Sequence, residues 1–82
     1  MIKDELEDVI TILHSIREDN SVPKNVKSRI DLTIGSLNSE SEVSLRIDKA
    51  LQELSEISND PNIPAYTRIE VLNLISLLSK DQ

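Results

Sequence analysis

The chain contains no cysteine, no tryptophan and no phenylalanine, and only one tyrosine, Tyr66. Without cysteine, a disulfide, a thiolate nucleophile and a cysteine-ligated metal site are all excluded. Such a composition suits a reducing cytoplasm, and a cytoplasmic location is expected. With so few aromatic rings, any core has to be built from Ile, Leu and Val. One glycine and three prolines supply too few turn signals for an all-β protein, so the long uninterrupted stretches favour helices. No apolar run approaches the ~20 residues of a membrane span, and the opening MIKDELEDVI carries no signal-peptide pattern; neither is expected. A net charge of −6 opposes non-specific attraction to nucleic acid or to anionic membranes. Eighty-two residues make a single helical domain, because a second core cannot be built from so short a chain.

What is present is written twice. Asp19–Ile30, DNSVPKNVKSRI, and Asp60–Val71, DPNIPAYTRIEV, share an Asp, an apolar-Pro pair and a following basic residue. The shift of 41 that carries Asp19 onto Asp60 also carries Leu6, Ile10, Leu13 and Ile16 onto Ile47, Leu51, Leu54 and Ile57. Beyond the prolines it carries Ile30, Ile34 and Leu37 onto Val71, Ile75 and Leu78. Apolar residues spaced three and four apart mark one face of a helix. Ile2, Leu6, Val9, Ile10, Leu13 and Ile16 form such a face, ended near Glu18 by the turn formers DNSVP. Pro23 and Pro64 each start a further helix, where the missing N–H costs nothing. Ser39 and Glu42 match a capping box for the third helix. Gly35 lies inside the second helix, where it costs roughly 1 kcal/mol against Ala, a residue small enough to allow close helix approach.

The sequence therefore predicts an all-α, antiparallel four-helix bundle made of two similar hairpins, about residues 2–38 and 42–79. One hairpin cannot bury its own apolar faces, so the two must pack together. A short HEAT-like stack is the alternative architecture, although two units are fewer than such stacks need.

The copies differ in their last helix. Ile69, Leu72 and Leu77 stand where the first copy has Ser28, Asp31 and Ser36, and Tyr66 stands where it has Asn25. The final helix is apolar almost all round, and a four-helix monomer covers only part of that circumference. Tyr66, Ile69, Leu72 and Leu77 are the expected interaction surface, for a homodimer or another protein. Leu32 and Leu45 also point away from their core stripes, as isolated exposed leucines do.

Chemical motifs are sparse. His14, the one histidine, falls beside Glu18 on a helix but lacks a nucleophile or a second ligand. Glu53 with Glu56, and Asp4 with Asp8, are carboxylate pairs of ordinary helical spacing. The turns around Asp19 and Asp60 lack the glycine and distant Glu of a calcium loop, and Asp, Asn and Ser there are expected to cap backbone N–H groups. No catalytic, metal or cofactor-binding residue is expected, and the chain reads as non-enzymatic. Lys24, Lys27 and Arg29 form a short basic strip on the second helix, the alternative reading being a nucleic-acid-associated accessory protein. Without stacking aromatics that signal is thin.

The corner EDNSVPKNVK, followed one hairpin later by EISNDPNIPAYTR, resembles the small archaeal uncharacterised protein family numbered 0147. Ile57, Ser58, Asn59, Asp60, Pro61, Asn62, Pro64, Thr67 and Arg68 carry that resemblance, which spans most of residues 5–80. It implies a four-helix fold and an archaeal cytoplasmic protein. It assigns no activity, cofactor or site residue.

Overall fold

The computed structural model describes residues 3–80, with side chains from residue 5 onward. Ile2, expected on the core face, and the side chain of Asp4, expected to pair with Asp8, lie outside the described residues. Four α-helices account for the ordered elements: α1 (Lys3–Arg17), α2 (Lys24–Leu37), α3 (Val43–Ser58) and α4 (Ala65–Ser79). There is no strand among the described residues. The helices pack consecutively, α1 on α2, α2 on α3 and α3 on α4.

The core cluster is aliphatic, as the composition demands, with Thr33 and Thr67 buried beside it. Val9, Leu13, Ile16, Val26, Ile30, Leu37, Leu54, Ile57, Val71 and Leu78 are among its buried members. Burial follows the shift of 41 closely. Val9 and Ala50, Leu13 and Leu54, Ile16 and Ile57, Ile30 and Val71, and Leu37 and Leu78 are all buried pairs. The apolar residue before each proline, Val22 or Ile63, is buried as well. A proline pushes its predecessor towards extended backbone, and here that turns the preceding side chain into the core.

Each corner is built the same way. Helix α1 ends with the Asp19 N–H donating to the Ile16 carbonyl at 3.1 Å, and α3 with the Asp60 N–H donating to Ile57 at 3.0 Å. The Asp19 carboxylate then accepts from the Ser21 N–H, and the Asp60 carboxylate from the Asn62 N–H, each at 2.8 Å. Pro23 and Pro64 hold nearly identical extended dihedrals, φ −61°, ψ 153° and φ −58°, ψ 151°. Both prolines are N-caps, one residue outside the helical turn that the sequence suggested.

Two expectations fail here. The Ser39–Glu42 capping box does not form. Glu42 is the N-cap of α3 without a side-chain hydrogen bond, and the Ser39 hydroxyl donates instead to the Ser36 carbonyl at 3.0 Å. A serine that finds a carbonyl at the end of the preceding helix satisfies its proton locally and leaves the next helix uncapped. Gly35 mediates no close approach, since a Cβ built there meets nothing within 4 Å and the residue is exposed.

Candidate functional site

Helix α4 carries three of the large exposed hydrophobics. Tyr66 is 53% exposed, Ile69 60% and Leu72 49%. Val71, Leu74 and Leu78 occupy the opposite side of the helix and are buried. The exposed side consists of Ala65, Tyr66, Ile69, Leu72, Asn73, Ser76 and Ser79, with no charge among them. The charged residues of the helix, Arg68 and Glu70, are half-buried at its flanks. In a chain that is 29% charged, this side of α4 carries no charged residue over its four turns.

The expected members do not all behave alike. Ile69 and Leu72 lie open on the face. Leu77 is half-buried and packs against the core. Tyr66 is tied down: its hydroxyl donates to Asp19 Oδ2 at 2.8 Å, joining the start of α4 to the end of α1. The reciprocal bond exists on the other side, where Asn25 Nδ2 donates to Asp60 Oδ2 at 3.1 Å. Under the shift of 41, Tyr66 corresponds to Asn25 and Asp19 to Asp60. Each corner aspartate therefore serves its own turn with one oxygen and the other half of the chain with the second. The two hydrogen bonds, first from the Ser21 N–H and then from Tyr66, hold the Asp19 carboxyl below the usual aspartate range. Spacing alone could not find this clasp, because its partners are 47 and 35 residues apart.

Arg68 closes the second corner. Its guanidinium donates to the Asp60 carbonyl at 2.9 Å and also to the Ser58 carbonyl, groups left free where α3 ends. Thr67 is buried and its hydroxyl has no partner. Asp60, Pro64, Thr67 and Arg68, which carry much of the family resemblance, thus build a corner of the fold.

The basic strip is divided. Lys24 is exposed and Lys27 half-buried, whereas Arg29 donates to Glu56 on α3. Glu53, the other member of that carboxylate pair, lies 3.0 Å from the Ser36 hydroxyl. Both glutamates therefore bind α2. Between α1 and α2 the ion pair that forms is Arg17 of α1 with Asp31 of α2, at 2.7 Å. His14 is exposed and its Nδ1 lies 2.9 Å from Arg17 Nη2. A guanidinium has only donors, so Nδ1 accepts. Arg17, and not Glu18, is the neighbour that engages the ring. Among the described residues no three His, Asp or Glu side chains converge as metal ligands.

Leu32 and Leu45 are less isolated than their spacing suggested. Both line an open groove of about 720 Å³ between α2 and α3, with Gly35 between walls that include Asp31, Arg46, Asp48 and Lys49. Unlike the α4 face, this groove is bounded by charge.

Among the described residues the protein is all-helical, a small four-helix protein whose last helix carries an uncharged outer face. The chain belongs to the uncharacterised protein family UPF0147, whose model matches residues 1–80. Its relatives include a UPF0147 protein of Methanosarcina mazei, 41% identical over 84% of this chain and 75% of that one. Another, from Archaeoglobus fulgidus, is 38% identical over 98% of this chain and 92% of its own. The fold is similar to the crystal structure of a protein of this family from Thermoplasma acidophilum, with a TM-score of 0.89 and 32% identity over 98% of this chain and 95% of that one. A crystal structure of a protein of unknown function, MMP1188, also matches with a TM-score of 0.89 at 35% identity, over 96% of this chain and 91% of that chain.

Proposed function

We propose that this protein is a non-enzymatic interaction module that engages another protein chain through the exposed face of α4. The supporting observation is the combination of Ile69 at 60% and Leu72 at 49% exposure on a helix side without a charged residue. Water-exposed aliphatic surface is favourable to cover, at roughly 25 cal/mol per Å², and burying this face leaves no ionic group unpaired. The architecture behind it is an antiparallel bundle of two like hairpins in a single domain. Extents of 32 × 21 × 20 Å support a closed arrangement, since a flat row of four helices would be only one helix, about 10 Å, thick. The reciprocal Tyr66–Asp19 and Asn25–Asp60 bonds support a twofold relation between the hairpins. No helix of the described chain is long and apolar enough to cross a membrane, and the absence of cysteine supports a cytoplasmic setting.

The nucleic-acid reading draws less support. With Arg29 engaged by Glu56, Lys24 and Lys27 remain to neutralise phosphates on a molecule of net charge −6. Binding of single-stranded or duplex nucleic acid at low salt, falling steeply as salt rises, would favour it.

Affinity capture from native archaeal extract tests the interaction reading, with the wild-type chain and Leu72→Asp as paired baits. The expected outcome is a protein retained by the wild type and released from the variant, with unchanged helical circular dichroism. Identical captures from both baits would remove α4 as the binding surface.

A further inference from the structure

The occupant of the α4 face follows from three of its features, and the inference rests on the interaction reading above. The face is uncharged on a molecule of net charge −6. Charged side chains stand on the exposed surfaces of α1, α2 and α3, whereas the exposed side of α4 brings none to a second copy of itself. The second feature is the order of side chains along the helix. A twofold axis passing between Ile69 and Leu72 sets each Ile69 against the Leu72 of the second copy. One turn further out, Ala65 and Ser76 face each other, small residues that allow two helix axes to approach to about 8–10 Å. An Ile69–Leu72 centre matches itself when the helix is reversed, which is what an isologous contact requires, with Tyr66 left at the edge of the face.

The third feature is size. Fifteen residues make a helix about 22 Å long, and one helix face on another buries roughly 500 Å² in all, below the ~1,200 Å² of standard stable interfaces. The contact is therefore weak and set by concentration.

We propose that a second copy of this chain covers α4, in an antiparallel twofold dimer centred on Ile69 and Leu72. An interface this small is weak, so the dimer forms only at high protein concentration. Because the apolar centre attracts while the net charges repel, added salt strengthens this dimer by screening the repulsion, over a distance of ~8 Å at physiological ionic strength. An interface made by ion pairs would weaken instead.

Sedimentation equilibrium on the full chain tests this directly. The expected result is a monomer–dimer equilibrium whose association constant rises several-fold between low and high salt, and falls at least about tenfold in Leu72→Asp, which sets two carboxylates beside the axis. The cysteine-free chain permits a geometric test as well. A mixture of Ile69→Cys and Leu72→Cys should form disulfide-linked dimers faster than Leu32→Cys, although Leu32 is at least as exposed, at 62%. A strict monomer up to about 1 mM, association that weakens with salt, or cross-linking as fast through Leu32→Cys would each overturn the dimer. If the chain is monomeric yet Leu72→Asp still abolishes capture of another protein, only the dimer falls. If capture is also indifferent to Leu72→Asp, the interaction reading falls with it.

Discussion

Helices α2 and α4 occupy corresponding places in the two halves of the chain, and they present opposite surfaces to solvent. Their inner faces match: Val26, Ile30 and Leu37 are buried on one, Thr67, Val71 and Leu78 on the other. Their outer faces do not. Where α2 shows Lys24, Asn25, Ser28, Asp31 and Leu32, α4 shows Ala65, Tyr66, Ile69, Leu72 and Asn73, all of them exposed. The exterior of α2 is further tied to its neighbours, Asp31 to Arg17 and Arg29 to Glu56. The exterior of α4 is tied, among the described residues, at its first turn, by Tyr66 to Asp19. These exposed residues lie outside the core of both helices, so the outer faces can differ while the inner faces match.

The comparison can be broken at the core. Leu37→Ala and Leu78→Ala, buried at corresponding positions, should each destabilise by about 2–5 kcal/mol. Denaturant unfolding that gave one of them a near-zero cost would end the equivalence of the two halves. Exchanging the exteriors sharpens it. Ile69→Ser with Leu72→Asp gives α4 the residues of α2 and should abolish self-association in light scattering, with a stability change within about 0.5 kcal/mol, as for surface substitutions. The reverse exchange, Ser28→Ile with Asp31→Leu, should create association through α2 and lose the Arg17 ion pair, a solvent-screened contact of small effect.

Smaller effects concern the mismatches. Thr67→Val copies Val26 and removes a buried hydroxyl without a partner, so thermal unfolding should show a gain of about 1 kcal/mol. Gly35→Ala should gain somewhat less than about 1 kcal/mol, because the helix can take the methyl group in open space. The smallest effect belongs to the clasp. The folded Asp19 carboxyl titrates below its ordinary value. Its contribution is thus present above the unfolded pKa and lost as pH falls through the folded one. In Tyr66→Phe the folded value should move back towards ordinary aspartate, and NMR titration of the carboxyl resonance should register the shift. An unchanged titration would mean that the Ser21 N–H alone sets it.

Much of this fold was legible because its signals are local. The apolar period in α1 places Val9, Leu13 and Ile16 inward, and Pro23 and Pro64 restart the chain at corresponding positions. Exposure of Ile69 and Leu72 was also legible, since both depart from a stripe that a matching helix defines. Leu77 was harder: being apolar on the same helix did not distinguish a half-buried residue from an open one, because that depends on how far the neighbouring helices wrap round α4. The capping box failed for a similar reason. Its two residues were correctly spaced, but the Ser39 hydroxyl had a nearer acceptor at the end of α2.

The sequence by itself determined four helices, two equivalent corners, an aliphatic core and one helix with surplus apolar surface. Each rests on spacing within a few residues and on the fixed geometry of helix and proline. Only the tertiary structure decided which charges pair, that Tyr66 and Asn25 reach across to the two corner aspartates, that Leu32 and Leu45 share a groove, and that Gly35 faces open space. Those outcomes depend on the distances and rotations between helices far apart in the chain, and no local period encodes them.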